Sequence, residues 1–331
     1  MENNKKFAVI GGGSWATAIA KMLCENQEKI AWYMRSTYAL EHLKHQKHNP
    51  NYLSSVAFDT NKLQLTNDIN EAIKFADIVI FAIPSAFLSG ELEKMTESLE
   101  GKTIFSAIKG IVPETSLIVG EHFHTHFNIP YENIGVITGP CHAEEVALER
   151  LSYLTIACAD EEKAKYVAKN VSSYYIKAKT SDDIVGTEYA AVLKNIYSIA
   201  AGIAHGLGYG DNFQAVLMSN AIREMKKFIK KVHKMKRNIN DSAYLGDLLV
   251  TGYSVFSRNR MFGNMIGKGY TVKSAQMEMS MVAEGYYAVK SAYNLNLEYK
   301  AKTPIINAVY QILYEGKEAK AVFNKLTEKL D

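Results

Sequence analysis

The chain has 331 residues, 47% of them hydrophobic and 22% charged, with a formal net charge of only +3. That length suits two domains with separate cores, and the composition excludes a disordered, fibrous or membrane-spanning protein. So small a net charge provides no global field to draw nucleic acid or a membrane surface as a main partner.

In chain order, the polar start Met1 to Lys6 leads into an apolar run, Phe7 to Ile10, too short and wrongly flanked for a signal peptide. The longest apolar stretch, Ile78 to Leu88, contains a proline and is too short to span a bilayer. From Lys5 to about Ala178, short β-branched runs alternate with helix-like segments, which predicts a parallel sheet under crossover helices. Strands are expected at Phe7 to Ile10, Ile30 to Met34, Ile78 to Ile83, Thr103 to Ala107, Ile134 to Thr138, Leu154 to Cys158 and Tyr174 to Ala178. After Asp182 and Asp183 the alternation stops. The rest reads as helices broken at Gly206 to Gly210, Gly246, Gly252 and Gly263 to Gly269. Cys24, Cys141 and Cys158 are odd in number and widely spaced, which fits reduced thiols and a cytoplasmic location.

The first strand runs into Gly11-Gly12-Gly13-Ser14-Trp15-Ala16 and then a helix pattern through Ala18, Ile19, Met22 and Leu23. Strand, Gly-x-Gly-x-x-Ala and helix in this order predict a dinucleotide site. Gly11 permits the tight turn and Gly13 the approach of a pyrophosphate to the helix N-terminus, while Ala16 keeps helix and strand close. The expected fold class is therefore α/β, an N-terminal Rossmann-type doubly wound sheet with an all-helical C-terminal domain. Residues 1–186 form the dinucleotide-binding domain and 187–331 the helical substrate and catalytic domain. Where an acidic residue would receive the ribose 2′-hydroxyl of NAD, Arg35 follows the second strand. Arginine there favours a 2′-phosphate, and hence NADPH over NADH, a solvent-exposed strand end being the plain alternative.

Thr187 to Leu207 reads as a helix with an apolar stripe of Val192, Ile196, Ile199 and Ile203. Lys194 lies off that stripe among Ala190, Ala191, Ser198 and Ala201, so a ligand can approach its ammonium. A partly desolvated lysine is competent to exchange a proton with a carbinol or ketone oxygen, although most helical lysines simply reach solvent. Gly246-Asp247-Leu248 and Ser257-Arg258-Asn259-Arg260-Met261-Phe262-Gly263 offer charge and amide donors suited to a phosphate, surface ion pairing being the plainer alternative. Lys109-Gly110 and Thr138-Gly139-Pro140-Cys141-His142-Ala143 each follow a strand at the sheet's carboxyl end, where open α/β folds bind ligands.

These segments resemble, in order and over nearly the whole chain, the bacterial-type NAD(P)-dependent glycerol-3-phosphate dehydrogenases. Besides the motifs above, Asn51-Tyr52-Leu53, Leu193-Lys194-Asn195, Ala200-Ala201-Gly202 and Val282-Ala283-Glu284-Gly285 carry the likeness. The resemblance implies hydride transfer between NADH or NADPH and a phosphorylated triose, with Lys194 as general acid/base. By the same likeness Lys109, Gly139, Cys141, Asp247, Ser257, Arg258 and Asn259 surround the substrate. Gly11, Gly13, Ser14, Trp15, Arg35, Lys109, Ala143, Arg258, Val282 and Glu284 would contact the cofactor. A homodimer and a role in glycerophospholipid synthesis are implied as well. Cys141 stands where the family has serine or threonine, and His142 replaces an apolar aromatic, so either backbone-only contact at Cys141 or a weaker substrate affinity is expected, with sensitivity to oxidation.

His42, His45 and His48, and likewise His122, His124 and His126, lack acidic or cysteine partners at ligand spacing, so no metal is expected. Two rivals remain: a β-hydroxyacid dehydrogenase of related fold, against which Ser257 to Asn259 argues, and a nicotinamide-binding sensor without turnover, against which Lys194 argues.

Overall fold

The computed structural model describes residues 4–279 and 283–331, and Val282 of the expected cofactor contacts lies outside the described residues. The chain divides into two compact units, one of Met1–Ile108 with Leu117–Ile184, the other of Lys109–Ser116 with Val185–Asp331. Lys109 thus belongs with the second unit, although it follows a strand of the first. Among the described residues no helix is long and apolar enough to cross a membrane.

The first unit holds β1 (Phe7–Ile10), β2 (Ile30–Tyr33), β3 (Leu63–Thr66), β4 (Ile78–Phe81) and β5 (Thr103–Ser106). A short β6 (Ile111–Val112) falls in the second unit, and the first resumes with β7 (Leu117–Ile118), β8 (Ile134–Thr138), β9 (Ser152–Cys158) and β10 (Ile176–Ser181). Eight strands form one sheet in the order β10-β9-β8-β5-β4-β1-β2-β3. Around it run α1 (Ser14–Asn26), α2 (Thr37–Gln46), α3 (Ile69–Phe75), α4 (Leu88–Leu92), α5 (Val119–Phe127), α6 (Ala143–Ala147) and α7 (Glu161–Val171). Central strands β1, β2, β4 and β5 are buried throughout, as strands covered on both faces must be. Side-chain caps fix where helices begin: Ser36 accepts from Ala39 N, Asp68 from Asn70 N, and Asp160 from Glu162 N and Lys163 N.

The sheet is not wholly parallel. β9 runs antiparallel to β8, and β10 follows β9, so two edge strands oppose the rest. The link from β8 to β9 holds only the five-residue α6. At about 1.5 Å per residue such a helix covers roughly half the length of a five-residue strand, so the chain turns back instead of crossing over. The last strand also starts later than expected: Tyr174 is exposed, and Lys177 and Lys179 lie on β10, the kind of charged edge that resists pairing with another chain. β3 escaped the pattern reading because Leu-Gln-Leu-Thr is a four-residue, half-buried edge strand with only two leucines to mark it.

The second unit is built from α8 (Ile184–Gly206), α9 (Asp211–Val232), α10 (Asp247–Tyr253), α11 (Arg258–Gly267), α12 (Val272–Glu278), α13 (Glu284–Tyr299), α14 (Pro304–Leu313) and α15 (Ala319–Thr327). α8 is buried on every side from Gly186 to Ala204, not along one stripe, so it is the unit's central helix. Several glycines expected as breaks lie inside helices: Gly252 in α10, and Gly263 and Gly267 in α11. A Cβ on Gly202 or Gly206 of α8 would come within 2.1 Å of Arg260 O or 2.4 Å of Asn264 O, and one on Gly263 or Gly267 within 2.1 Å of Ile199 O or 2.3 Å of Ile203 O. The two helices therefore cross backbone against backbone. Glu224 of α9 secures another element, accepting from Ile305 N at 2.8 Å and Ile306 N at 3.0 Å in the first turn of α14, where Pro304 needs no partner.

Candidate active site

Gly11 has φ of 136°, in the region that favours glycine, and a Cβ there would meet Ala82 O at 2.4 Å. Its amide donates to Tyr33 O at 3.1 Å and its carbonyl accepts from Trp32 Nε1 at 2.7 Å, which locks the turn to β2. Gly13 is the N-cap of α1, makes no side-chain cap, and has open space where its Cβ would be. Asn49 braces this loop from within: it is fully buried, and its Nδ2 donates to Gly12 O and Thr17 Oγ1, each at 3.0 Å. An uncapped helix start behind an unfilled glycine is the cradle that a pyrophosphate needs, so the residues fit a dinucleotide. Ser14 and Trp15 form the first turn of α1. Arg35 follows β2 with its guanidinium mostly exposed, 3.7 Å from Glu91.

In the second unit Lys194 sits on the middle of α8 with only 3% of its surface exposed and is paired with Asp247, the first residue of α10. Burial drives the ammonium's pKa down to about 8, with the charge of Lys109 adding to the fall and Asp247 opposing it. Asn195, next on the helix, donates from Nδ2 to Lys109 O at 3.1 Å and so ties the segment that carries Lys109 to α8. Asp247 gives one carboxylate oxygen to Lys194; its Oδ2 is buried without a hydrogen-bond partner among the described residues. A buried carboxylate oxygen left this way is an unused acceptor in the site.

Ser257 is the N-cap of α11 and accepts from Arg260 N at 3.3 Å; its hydroxyl also lies 2.7 Å from Ser198 Oγ. Arg258 opens the helix, where positive dipole and guanidinium coincide. Asn259 is buried, and its Oδ1 accepts from Gly285 N at 2.9 Å in the first turn of α13, which fixes Nδ2 as the donor end of the side chain. Burial pushes the Glu284 carboxyl up while Arg258, Lys109 and Lys194 pull it back, so these four charges share one neighbourhood.

The structure therefore brings Lys109, Lys194, Asp247, Ser257, Arg258, Asn259 and Glu284 together in the second unit. Gly139, Cys141 and Ala143 belong to the first. Gly139 has φ of 118°, and a Cβ would meet Tyr153 O at 2.8 Å, so its lack of a side chain is required by packing against β9 whatever it binds. Cys141 is buried and reduced, and Ala143 begins α6. Asn49, Asn195, Ser198 and the crossing glycines were missed as functional residues. The glycines carried a signal in the paired Gly-x-x-x-Gly spacings 202/206 and 263/267, and Asn195 one in the Leu193-Lys194-Asn195 likeness.

Two family models match the chain: the NAD-dependent glycerol-3-phosphate dehydrogenase N-terminus over residues 6–164 and the C-terminus of the same enzyme over residues 183–324. The glycerol-3-phosphate dehydrogenase [NAD(P)+] of Streptococcus uberis is 33% identical over 319 residues, covering 95% of this chain and 93% of the relative. That of Bacillus subtilis is 33% identical over 326 residues, covering 97% and 94%. A crystal structure of glycerol-3-phosphate dehydrogenase from Coxiella burnetii superposes with a TM-score of 0.90 at 25% identity, covering 98% of this chain and 99% of that one. With its loop, its buried lysine and these matches across both units, the chain belongs to the NAD-dependent glycerol-3-phosphate dehydrogenase family, oxidoreductases that act on a CH–OH group with NADH or NADPH.

Proposed function

We propose that the chain interconverts dihydroxyacetone phosphate and sn-glycerol 3-phosphate, with Lys194 as the general acid/base. The observation that carries this reading is a lysine 3% exposed, paired with Asp247, its pKa lowered to about 8. Held at the Gly11 to Gly13 loop, a nicotinamide cofactor would supply or receive the hydride at C2. In the reducing direction Lys194 donates its proton to the C2 oxygen as negative charge develops there, and in the oxidising direction neutral Lys194 takes that proton back. Asp247 holds the amine in place and accepts from a substrate hydroxyl through Oδ2. Arg258, the N-terminus of α11, Asn259 Nδ2 and Lys109 anchor the phosphate, so that binding of the remote group positions the carbon that reacts.

In this reading the first unit is the dinucleotide-binding domain, through Gly11, Gly13, Ser14, Trp15, Arg35 and Ala143, with NADPH favoured by Arg35. Lys109, Arg258, Val282 and Glu284 complete the cofactor contacts, and Gly139 and Cys141 approach substrate through backbone. The product supplies glycerophospholipid synthesis, and the enzyme is a cytoplasmic homodimer. The test is NADPH oxidation with dihydroxyacetone phosphate beside short β-keto acids, for wild type and Lys194→Ala. Preference for the phosphorylated ketone and a loss of about a hundredfold or more in kcat for the variant are expected. Preference for the β-keto acids would overturn the substrate, and wild-type turnover by Lys194→Ala the acid/base.

A further inference from the structure

At the carboxyl end of β2 two exposed cations meet one buried carboxylate. Glu91 of α4 accepts from the Tyr33 hydroxyl at 2.5 Å through Oε2, Tyr33 being the last residue of β2. Its other oxygen, Oε1, lies 2.9 Å from Lys94 Nζ and 3.7 Å from Arg35 Nη1. The Glu91 side chain is 6% exposed, those of Arg35 and Lys94 69% and 50%. Tyr33 thus holds the carboxylate inside, while both cations keep most of their N–H donors facing solvent.

A Rossmann enzyme for NAD places an acidic residue after β2 to receive the ribose 2′-hydroxyl, and one for NADP places an arginine to receive the 2′-phosphate. Here both kinds of group occupy that place. The arginine stands two residues beyond the end of β2; the carboxylate arrives from α4, more than fifty residues on, which is why no motif at the strand end betrays it. We infer that Glu91 and Lys94 complete, with Arg35, a charge-balanced subsite for the adenosine 2′ position, in which Glu91 tempers the two cations so that a ribose without the phosphate is also accepted. The inference rests on the reading of Arg35 as a cofactor contact.

Its physics is a matter of sign. Arg35, Lys94 and Glu91 together carry one net positive charge; without the carboxylate they carry two. A phosphate monoester brings close to two negative charges, whereas a 2′-hydroxyl brings none, so each change of one protein charge a few ångströms away acts on NADPH and hardly on NADH. At partly screened surface distances that is about fivefold in relative efficiency per charge. A merely structural Glu91 would affect both cofactors alike.

The experiment compares kcat/KM for NADPH with that for NADH, at low and high ionic strength, in wild type, Arg35→Ser, Glu91→Gln and Lys94→Met. Gln keeps an acceptor for Tyr33, so the pocket's shape is retained. The NADPH-to-NADH ratio is expected to rise about fivefold in Glu91→Gln and to fall about as much in Lys94→Met and further in Arg35→Ser, all three shifts shrinking in high salt. A falling ratio in Arg35→Ser with an unchanged or lowered ratio in Glu91→Gln would overturn the role of Glu91 and leave the Arg35 contact standing. No change in Arg35→Ser would overturn the contact and the inference with it. Should Glu91→Gln fail to fold, Lys94→Met decides, because that half-exposed side chain reads the same field, and an unchanged ratio there overturns the shared subsite.

Discussion

Both units depend on glycine, and for opposite reasons. In the nucleotide loop Gly11 adopts a φ of 136° and Gly13 faces open space, so one glycine supplies a backbone shape and the other leaves room for a ligand. At the crossing of α8 and α11 the four glycines are ordinary helical residues, and each is needed because the backbone of the other helix lies where its Cβ would be. The first kind serves binding, the second serves architecture. Their consequence for function is nonetheless linked, because the crossing fixes the start of α11, with Ser257, Arg258 and Asn259, against the helix that carries Lys194.

One methyl group is enough to push the two crossing helices apart. Gly263→Ala puts a Cβ 2.1 Å from Ile199 O, against backbone on a buried helix with no flexible side chain to yield. Alanine gains about 1 kcal/mol of helix propensity, but overpacking of this kind costs about 3 kcal/mol, so the clash wins. A net loss of about 2 kcal/mol in chemical denaturation is expected, with turnover falling further than folding alone explains as α11 moves. Stability equal to wild type would show that the helices do not touch here. Next in size is pH, which concerns only the second unit. With Lys194 as the proposed acid/base, its protonated form acts in the reducing direction, so kcat is expected to fall about tenfold per unit above pH 8; its neutral form acts in the oxidising direction, where kcat is expected to rise toward a plateau above the same point. Profiles with the same slope in both directions would remove Lys194 from proton transfer.

Much of the first unit was legible because its signals are local. A buried strand, two glycines and an amphipathic helix within twenty residues state a nucleotide loop without help from the rest of the chain. The second unit was legible mainly through family resemblance. α8 is buried all round, so periodicity does not mark which face holds Lys194, and Gly263 and Gly267 read as breaks because a helix-breaking residue and a helix-crossing residue look alike until the partner helix is known. Asn195 and Asn49 act through backbone groups distant in sequence, Lys109 O and Gly12 O, which no spacing rule reveals. The reversal of β9 was hidden for a related reason: the brevity of α6 decides it, and helix boundaries are the least certain part of any reading of sequence.

Gly13→Ala sharpens the contrast from the binding side. Its Cβ meets nothing within 4 Å and its φ is an ordinary −81°, so stability should stay within about 0.5 kcal/mol of wild type. The methyl would stand where a pyrophosphate approaches, and the KM for NADPH is expected to rise about tenfold. A large loss of stability instead would make Gly13 an architectural glycine like those of the crossing.

The smallest effect concerns the direction of a hydrogen bond. Ser198 Oγ donates to Thr251 O at 2.8 Å, and a carbonyl can only accept, so that proton is spoken for. The 2.7 Å contact between Ser198 and Ser257 is then donated by Ser257, whose oxygen meanwhile accepts from Arg260 N. Ser257 thus has no proton to offer a phosphate and contributes by capping α11, with Ser198 as the residue that orients it. Ser198→Ala is expected to raise the KM for dihydroxyacetone phosphate about threefold with kcat little changed, and Ser257→Ala to cost no more than a few times that, since loss of a cap is worth about 1 kcal/mol. Ser198→Thr, which keeps the hydroxyl, should restore most of the affinity. A loss for Ser257→Ala of a hundredfold or more, with Ser198→Ala silent, would mean that Ser257 donates directly to the substrate and that the chain of hydrogen bonds runs the other way.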